Sequence, residues 1–91
     1  MKLLSTPSFV RSAKRMVKRN PKFAEALKET LALLEKDLFD PQLKTHKLKG
    51  VLEGSWACRV AYDLRIVFEI VQFDDEETIL LQTIGTHDEV Y

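Results

Sequence analysis

The chain has 91 residues, of which 45% are apolar, so it can bury one modest core and is not expected to be disordered. Its single cysteine, Cys58, cannot form an internal disulfide, and no apolar run approaches the roughly 20 residues that a membrane-spanning helix needs. The first residues are too short in apolar length for a signal peptide. We therefore expect one cytoplasmic domain over residues 1–91, with no membrane partner.

The formal net charge of zero conceals a division along the chain. Residues 1–50 carry 12 Lys and Arg against 5 Asp and Glu, a net charge of +7. Residues 51–91 carry 2 against 9, a net charge of −7. A basic region can attract phosphate groups. Basic helix surfaces are more often only solvated, so charge alone favours that simpler interpretation.

The first half of the chain predicts a short strand and two helices. Residues 2–5 are expected to form an edge strand, and Thr6 followed by Pro7 is typical of a helix start, with threonine as the N-cap. Apolar residues then recur at helical spacing, while the side between them is basic. Asn20 before a second proline repeats the start signal, and this second helix is expected to end near Asp37. The two helices form a hairpin.

The second half changes to strand periodicity after an irregular segment, residues 39–54. Three strands are expected, at residues 55–62, 65–73 and 78–84. The last of them is apolar on both faces and should lie inside the sheet. Trp56, Tyr62 and Phe68 are expected in the core. Strands joined by short turns pair as an antiparallel meander, so we predict an α+β fold of order β-α-α-β-β-β, with the helical hairpin on one face and the other face partly open.

The two histidines, His46 and His87, lie outside the apolar repeats. Histidine exchanges protons near neutrality, and RNA cleavage through the 2′-hydroxyl needs both a base and an acid. Such cleavage also needs a cation for the phosphate, and Arg59 and Arg65 are the only arginines in the sheet half. On residue type alone, however, each histidine is more often just a polar surface residue.

Other chemistries have less support. The chain has no closely spaced pair of metal ligands and no phosphate-binding loop, so no metal or cofactor is expected. Cys58 alternates with apolar strand residues and is expected in the core rather than as a nucleophile. Tyr91 follows a polar segment, Gly85 to Val90, and is hard to explain by packing. We expect it to stack on a base or to contact phosphate.

Four segments in combination resemble the RelE/ParE superfamily of toxins, and the YafQ-like branch is the most similar. They are His-Lys-Leu-Lys-Gly at 46–50, Gly-Ser-Trp at 54–56, Tyr-Asp-Leu-Arg-Ile at 62–66 and Ile-Gly-Thr-His-Asp-Glu-Val-Tyr at 84–91. The resemblance extends over essentially the whole chain, including the helical hairpin. It implies a ribosome-dependent endoribonuclease (mRNA interferase) of a type II toxin–antitoxin system. Such a toxin cleaves mRNA in the ribosomal A site and is inhibited by a cognate antitoxin.

The resemblance also implies residue roles. His46 or Asp63 would take the proton from the 2′-hydroxyl, and His87 would protonate the leaving oxygen. Arg65, with Arg59, would stabilise the phosphorane. The residues expected to hold messenger or ribosomal RNA are Lys14, Arg15, Lys18, Lys47, Lys49, Arg59 and Tyr91.

The sequence departs from the YafQ-like pattern at one point. That pattern has a further histidine between the first two strands of the meander, whereas no histidine lies between Trp56 and Arg65 here, and Tyr62 is the nearest polar candidate. One alternative is a ParE-like gyrase poison without enzymatic activity, against which the pair His46 and His87 counts. Another is an inactive relative that only binds its antitoxin or operator DNA.

Overall fold

The molecule combines helices with one five-stranded sheet, and the computed structural model describes all of residues 1–91. The helices are α1 (Pro7–Arg19), α2 (Phe23–Lys36) and α3 (His87–Val90). The strands are β1 (Lys2–Ser5), β2 (His46–Lys47), β3 (Trp56–Ala61), β4 (Leu64–Phe73) and β5 (Glu76–Thr86). Short 3-10 turns occupy Pro41–Leu43 and Gly50–Leu52. The predicted α+β order is confirmed, and β2 and α3 are additions to it.

The sheet has the order β1-β5-β4-β3-β2. β1 runs parallel to β5, and all other neighbours are antiparallel. β5 therefore has a partner on each side, as its apolar sequence predicted. Asp74 and Asp75 join β4 to β5 with φ angles of 52° and 62°, the left-handed conformation that a tight hairpin turn requires.

The helix starts follow their capping side chains. Thr6 Oγ1 accepts a hydrogen bond from the Phe9 N–H at 3.1 Å, which confirms the predicted N-cap of α1. The prediction that Asn20 caps α2 is wrong by two residues. Asn20 Oδ1 accepts from the Lys22 N–H at 3.2 Å, and the carbonyl of Asn20 accepts from the Phe23 N–H at 2.9 Å, so these residues form a turn before the helix begins.

The core lies between α1, α2 and one face of the sheet. Its buried members include Phe9, Met16, Leu34, Cys58, Leu64, Ile66, Phe68, Ile79, Leu81 and Ile84. Trp56 packs against this cluster and is partly buried. The prediction that Tyr62 is a core residue is wrong: its side chain is 87% exposed, because the turn between β3 and β4 carries it out of the sheet. None of the helices has the length and apolar character needed to cross a membrane.

Candidate functional site

Strand register brings three site candidates to the sheet face that points away from the core. His46 in β2 opposes Ala57 in β3, and Arg59, two residues farther along β3, opposes Arg65 in β4. Directly opposed residues of antiparallel strands point to the same face, and faces alternate along each strand. Because Cys58 points into the core, its neighbours Ala57 and Arg59 point the other way. His46, Arg59 and Arg65 therefore share this second face.

Two small apolar residues on the second face are buried. Ala57 and Val67 are 0% and 2% exposed, although neither belongs to the core cluster. Longer polar side chains surround them. Gln82 Nε2 donates to Glu69 Oε1 at 2.9 Å, and Ser55 Oγ donates to Gln82 Oε1 at 3.2 Å. This network could not be predicted from the sequence, because Gln82 is a single polar residue in an apolar strand.

Arg65 lies at the end of this face, beside the turn between β3 and β4. Its Nη1 donates to the carbonyl of Tyr62 at 3.3 Å and to that of Ala61 at 3.5 Å. These weak hydrogen bonds hold the guanidinium against the turn, in which Asp63 is exposed. A cationic and an anionic site candidate therefore lie side by side at one end of the sheet.

Residues expected to form a polar tail are in fact a short helix, α3. Thr86 Oγ1 accepts from the Glu89 N–H at 3.3 Å, while Glu89 Oε1 accepts from the Thr86 N–H at 2.9 Å, so the two residues form a capping box. A threonine followed three residues later by glutamate is a sequence signal that could have predicted it. At Gly85, an added Cβ would lie 3.1 Å from Glu89 Cβ and from Val90 Cγ1. Glycine therefore allows α3 to fold back onto β5.

The fold of α3 brings His87 and Tyr91 together near Arg65. The two rings meet edge to face, with centroids 4.5 Å apart and planes at 84°. Partial burial raises the pKa of the Tyr91 phenol, and the positive charge of Arg65 opposes this rise. Leu64 of β4 opposes Thr86 of β5, so the residues that flank this pair, Asp63 and His87, lie at the same end of the sheet. Asp63, Arg65, His87 and Tyr91 form what we call the tail cluster.

His46 lies apart from the tail cluster. It is exposed in β2, the edge strand, and two strand spacings of about 4.8 Å separate it laterally from β4. Its Nδ1 lies 2.9 Å from the carbonyl of Lys44. A carbonyl only accepts, so Nδ1 is the donor in this contact and Nε2 is the ring nitrogen left to act on a substrate. His46 thus presents a possible base from across the shared face.

The lysines near β2 lie elsewhere. Lys47 alternates with His46, opposes Trp56 and places its Nζ 5.4 Å from the centre of the indole ring. Lys47 and Lys49 line one groove with Gly54 before β3. This groove is at the β2 edge, so neither lysine joins Arg65.

The basic helix α1 borders the tail cluster instead. Lys14, Arg15 and Lys18 are exposed, and α1 contains no acidic residue. Arg15 and Arg19 line a cavity of about 320 Å³ between α1 and α3. Arg19 Nη1 lies 3.7 Å from Glu89 Oε2. Glu89 could not be predicted as part of the site, because nothing in the local sequence pairs it with a residue 70 positions away.

Comparisons with known proteins agree with this fold. A family model described as "Bacterial toxin of type II toxin-antitoxin system, YafQ" matches residues 1–91. A search of curated proteins finds no significant match.

Three solved structures illustrate the likeness. A copper-bound mutant toxin from Helicobacter pylori is 24% identical with a TM-score of 0.79, over 100% of this chain and 99% of that one. YafQ from Escherichia coli is 16% identical with a TM-score of 0.80, over 99% and 97%. YafQ in the E. coli DinJ–YafQ complex is 21% identical with a TM-score of 0.75, over 99% and 97%. Because the family model matches the entire sequence, the chain belongs to the YafQ family of bacterial toxins of type II toxin–antitoxin systems.

Proposed function

We propose that this toxin is a ribosome-dependent endoribonuclease that cleaves mRNA in the A site. The 2′-hydroxyl attacks the adjacent phosphorus, the bond from phosphorus to the 5′-oxygen breaks, and a 2′,3′-cyclic phosphate and a 5′-hydroxyl result. This reaction needs a base, an acid and a cation, and it does not require a metal. The observation that carries the proposal is the tail cluster, where Arg65, His87 and Asp63 lie together at one end of an exposed sheet face.

Each side chain has a role that suits its position. Arg65 stabilises the charge that develops on the phosphate, with Arg59 beside it in the neighbouring strand. His87 protonates the leaving 5′-oxygen. Asp63 or His46 takes the proton of the 2′-hydroxyl: Asp63 is already in the tail cluster, and His46 offers its free Nε2 from across the face. With His46 as the base, the base and the acid would approach the phosphate from different sides.

The remaining candidates bind RNA. Tyr91, whose ring is partly exposed beside His87, stacks on a base of the messenger. Lys14, Arg15 and Lys18 on α1 contact ribosomal RNA phosphates next to the tail cluster. Lys47 and Lys49 hold the messenger backbone where it passes the β2 edge. Salt weakens all of these phosphate contacts.

We propose that a cognate antitoxin inhibits the toxin by direct binding. Support comes from the E. coli relative, whose structure is a DinJ–YafQ complex. The antitoxin of this chain would form a complex with it, as DinJ does with YafQ, and would keep the toxin inactive until the antitoxin is removed.

A reconstituted translation reaction tests the proposal. Purified toxin is added to ribosomes translating a defined mRNA, and primer extension locates the cuts. We expect discrete cuts in the reading frame only when ribosomes are present, and His87→Gln should reduce their rate by about 10²- to 10⁴-fold, the usual contribution of a proton donor. Lys28→Ala, an exposed charge on α2, is the matched control and should cleave normally.

Two other outcomes would replace this proposal. Gyrase-dependent DNA breaks without mRNA cleavage would identify the ParE-like alternative. Absence of both activities, with retained antitoxin binding, would identify an inactive relative.

A further inference from the structure

α3 is too short to be stable by itself. It has four residues, and a helix of that length gains too few hydrogen bonds to offset the ordering of its backbone. At its end, the Tyr91 N–H donates a backbone hydrogen bond to the carbonyl of His87 at 3.0 Å. The orientation of these two side chains therefore depends on whatever fixes the first turn.

Glu89 holds the first turn of α3 through its backbone N–H and through both oxygens of its carboxylate. Oε1 accepts from the Thr86 N–H at 2.9 Å, and the backbone N–H of Glu89 donates to Thr86 Oγ1 at 3.3 Å. Oε2 faces α1, 3.7 Å from Arg19 Nη1. The hydrogen bond from the Thr86 backbone lowers the pKa of the Glu89 carboxyl, with a smaller contribution from Arg19 and Arg15, so the group is ionised at neutral pH.

The side chain of Glu89 also packs where Gly85 leaves room. Its Cβ and Oε1 lie 3.1 Å and 3.2 Å from the position that a Cβ on Gly85 would occupy. The glutamate thus contacts the last strand, the cap of α3 and the basic helix.

We propose that Glu89 is a positioning residue, which sets the orientation of His87 and Tyr91 through the capping box with Thr86. This inference rests on the proposed function for its effect on cleavage. In this role Glu89 does not act on the phosphate itself, and its removal lowers the turnover rate through the misplacement of His87. The carboxylate also links α3 to α1, which joins the RNA-binding helix to the tail cluster.

Three variants test the role of Glu89. Glu89→Ala removes the capping acceptor and should lower kcat by about 10- to 100-fold with a much smaller change in KM, because a displaced proton donor slows chemistry more than binding. Glu89→Gln keeps a side-chain carbonyl for the Thr86 N–H and should restore most of the rate. Glu77→Ala, which removes an exposed carboxylate from β5 far from α3, should cleave like the unmodified toxin.

NMR provides a readout that is independent of activity. In the unmodified protein, nuclear Overhauser effects should connect the rings of His87 and Tyr91, and Glu89→Ala should abolish them while the β4 and β5 amide shifts stay in place. Glu89→Gln should retain them. If these ring contacts persist in Glu89→Ala, or if its kcat is unchanged while that of His87→Gln falls, the positioning role is wrong. If His87→Gln cleaves normally while Glu89→Ala still loses the ring contacts, the proposed function fails and the capping role stands.

Discussion

His46 and His87 have very different supports. His46 is held in the register of the sheet, and its ring is tied to the carbonyl of Lys44 at 2.9 Å. His87 is held by one helical turn, which depends on a capping box and on the absence of a side chain at Gly85. His46 is therefore placed by its pairing with β3, whereas His87 is placed by α3 and its capping box. In the proposed reaction, the two histidines depend on separate parts of the fold.

Replacing His46 should produce the largest effect. If it is the base, His46→Gln lowers the cleavage rate by about 10²- to 10⁴-fold, because glutamine can hydrogen-bond but cannot take a proton at neutral pH. The exposed side chain contributes little to packing, so the melting temperature should stay within a few degrees of the unmodified value. Single-turnover cleavage on programmed ribosomes and calorimetry measure both.

Paired variants then separate the two candidate bases. If His46→Gln cleaves within about threefold of the unmodified rate and Asp63→Asn does not, the base is Asp63.

Gly85→Val should lower the cleavage rate by about 10²-fold, because it displaces α3 and with it His87. Its added Cβ would already lie 3.1 Å from two side-chain atoms of α3, and the two further methyl carbons take up more of that space. The φ angle of Gly85 is not positive, so valine suits the strand backbone. A normal melting temperature together with lost cleavage is expected. Unfolding of the whole domain would contradict the independence of the two supports.

Neutralising Lys14 and Lys18 together should weaken ribosome binding about 10-fold at physiological salt, with an unchanged single-turnover rate on saturated ribosomes. Both lysines are exposed on α1, and neither is a proposed acid or base. The slope of log Kd against log salt should become shallower. Lys28→Ala with Lys36→Ala, two exposed lysines of α2, is the control and should change binding much less.

Acidification below pH 4.5 should release α3 before it affects β2. The pKa of Glu89 lies below its ordinary value of 4.5, so the carboxylate stabilises the folded tail above that value and this stabilisation is lost as the pH falls through the lower folded pKa. Arg19 and Arg15 are the charged groups that face it. NMR titration should show loss of the His87–Tyr91 ring contacts with the cross-strand contacts of His46 still present. Simultaneous loss of both sets of contacts would show that His46 and His87 do not have separate supports.

Much of the fold could be predicted because short sequence patterns specify the individual helices and strands. Thr6 and the following proline specify the start of α1, alternation of apolar residues specifies β3 and β4, and a run that is apolar on both faces specifies β5. β2 could not be predicted, since His46 and Lys47 form a strand only by pairing with Ala57 and Trp56. A strand of two residues forms because the neighbouring strand β3 pairs with it, and its own residue types do not specify it.

The candidate site was predictable in its residue types but not in its arrangement. That Arg65 and His46 share a face depends on the register of three strands, which no single segment encodes. Tyr62 was expected in the core by alternation, yet the turn after Ala61 ends that alternation one residue earlier. Glu89 lies beside Arg19 only because α1 and β5 are neighbours.

The parallel pairing of β1 with β5 has a consequence for synthesis of the toxin. Residues 2–5 align with residues 78–81, and Thr6 Oγ1 donates to the carbonyl of Leu81 at 3.0 Å, across 75 positions of sequence. The first strand therefore has no partner until nearly the entire chain has left the ribosome, and contacts between such distant segments form slowly. An antitoxin that binds the nascent toxin would have that interval in which to do so, before α3 and the end of the sheet beside it are assembled.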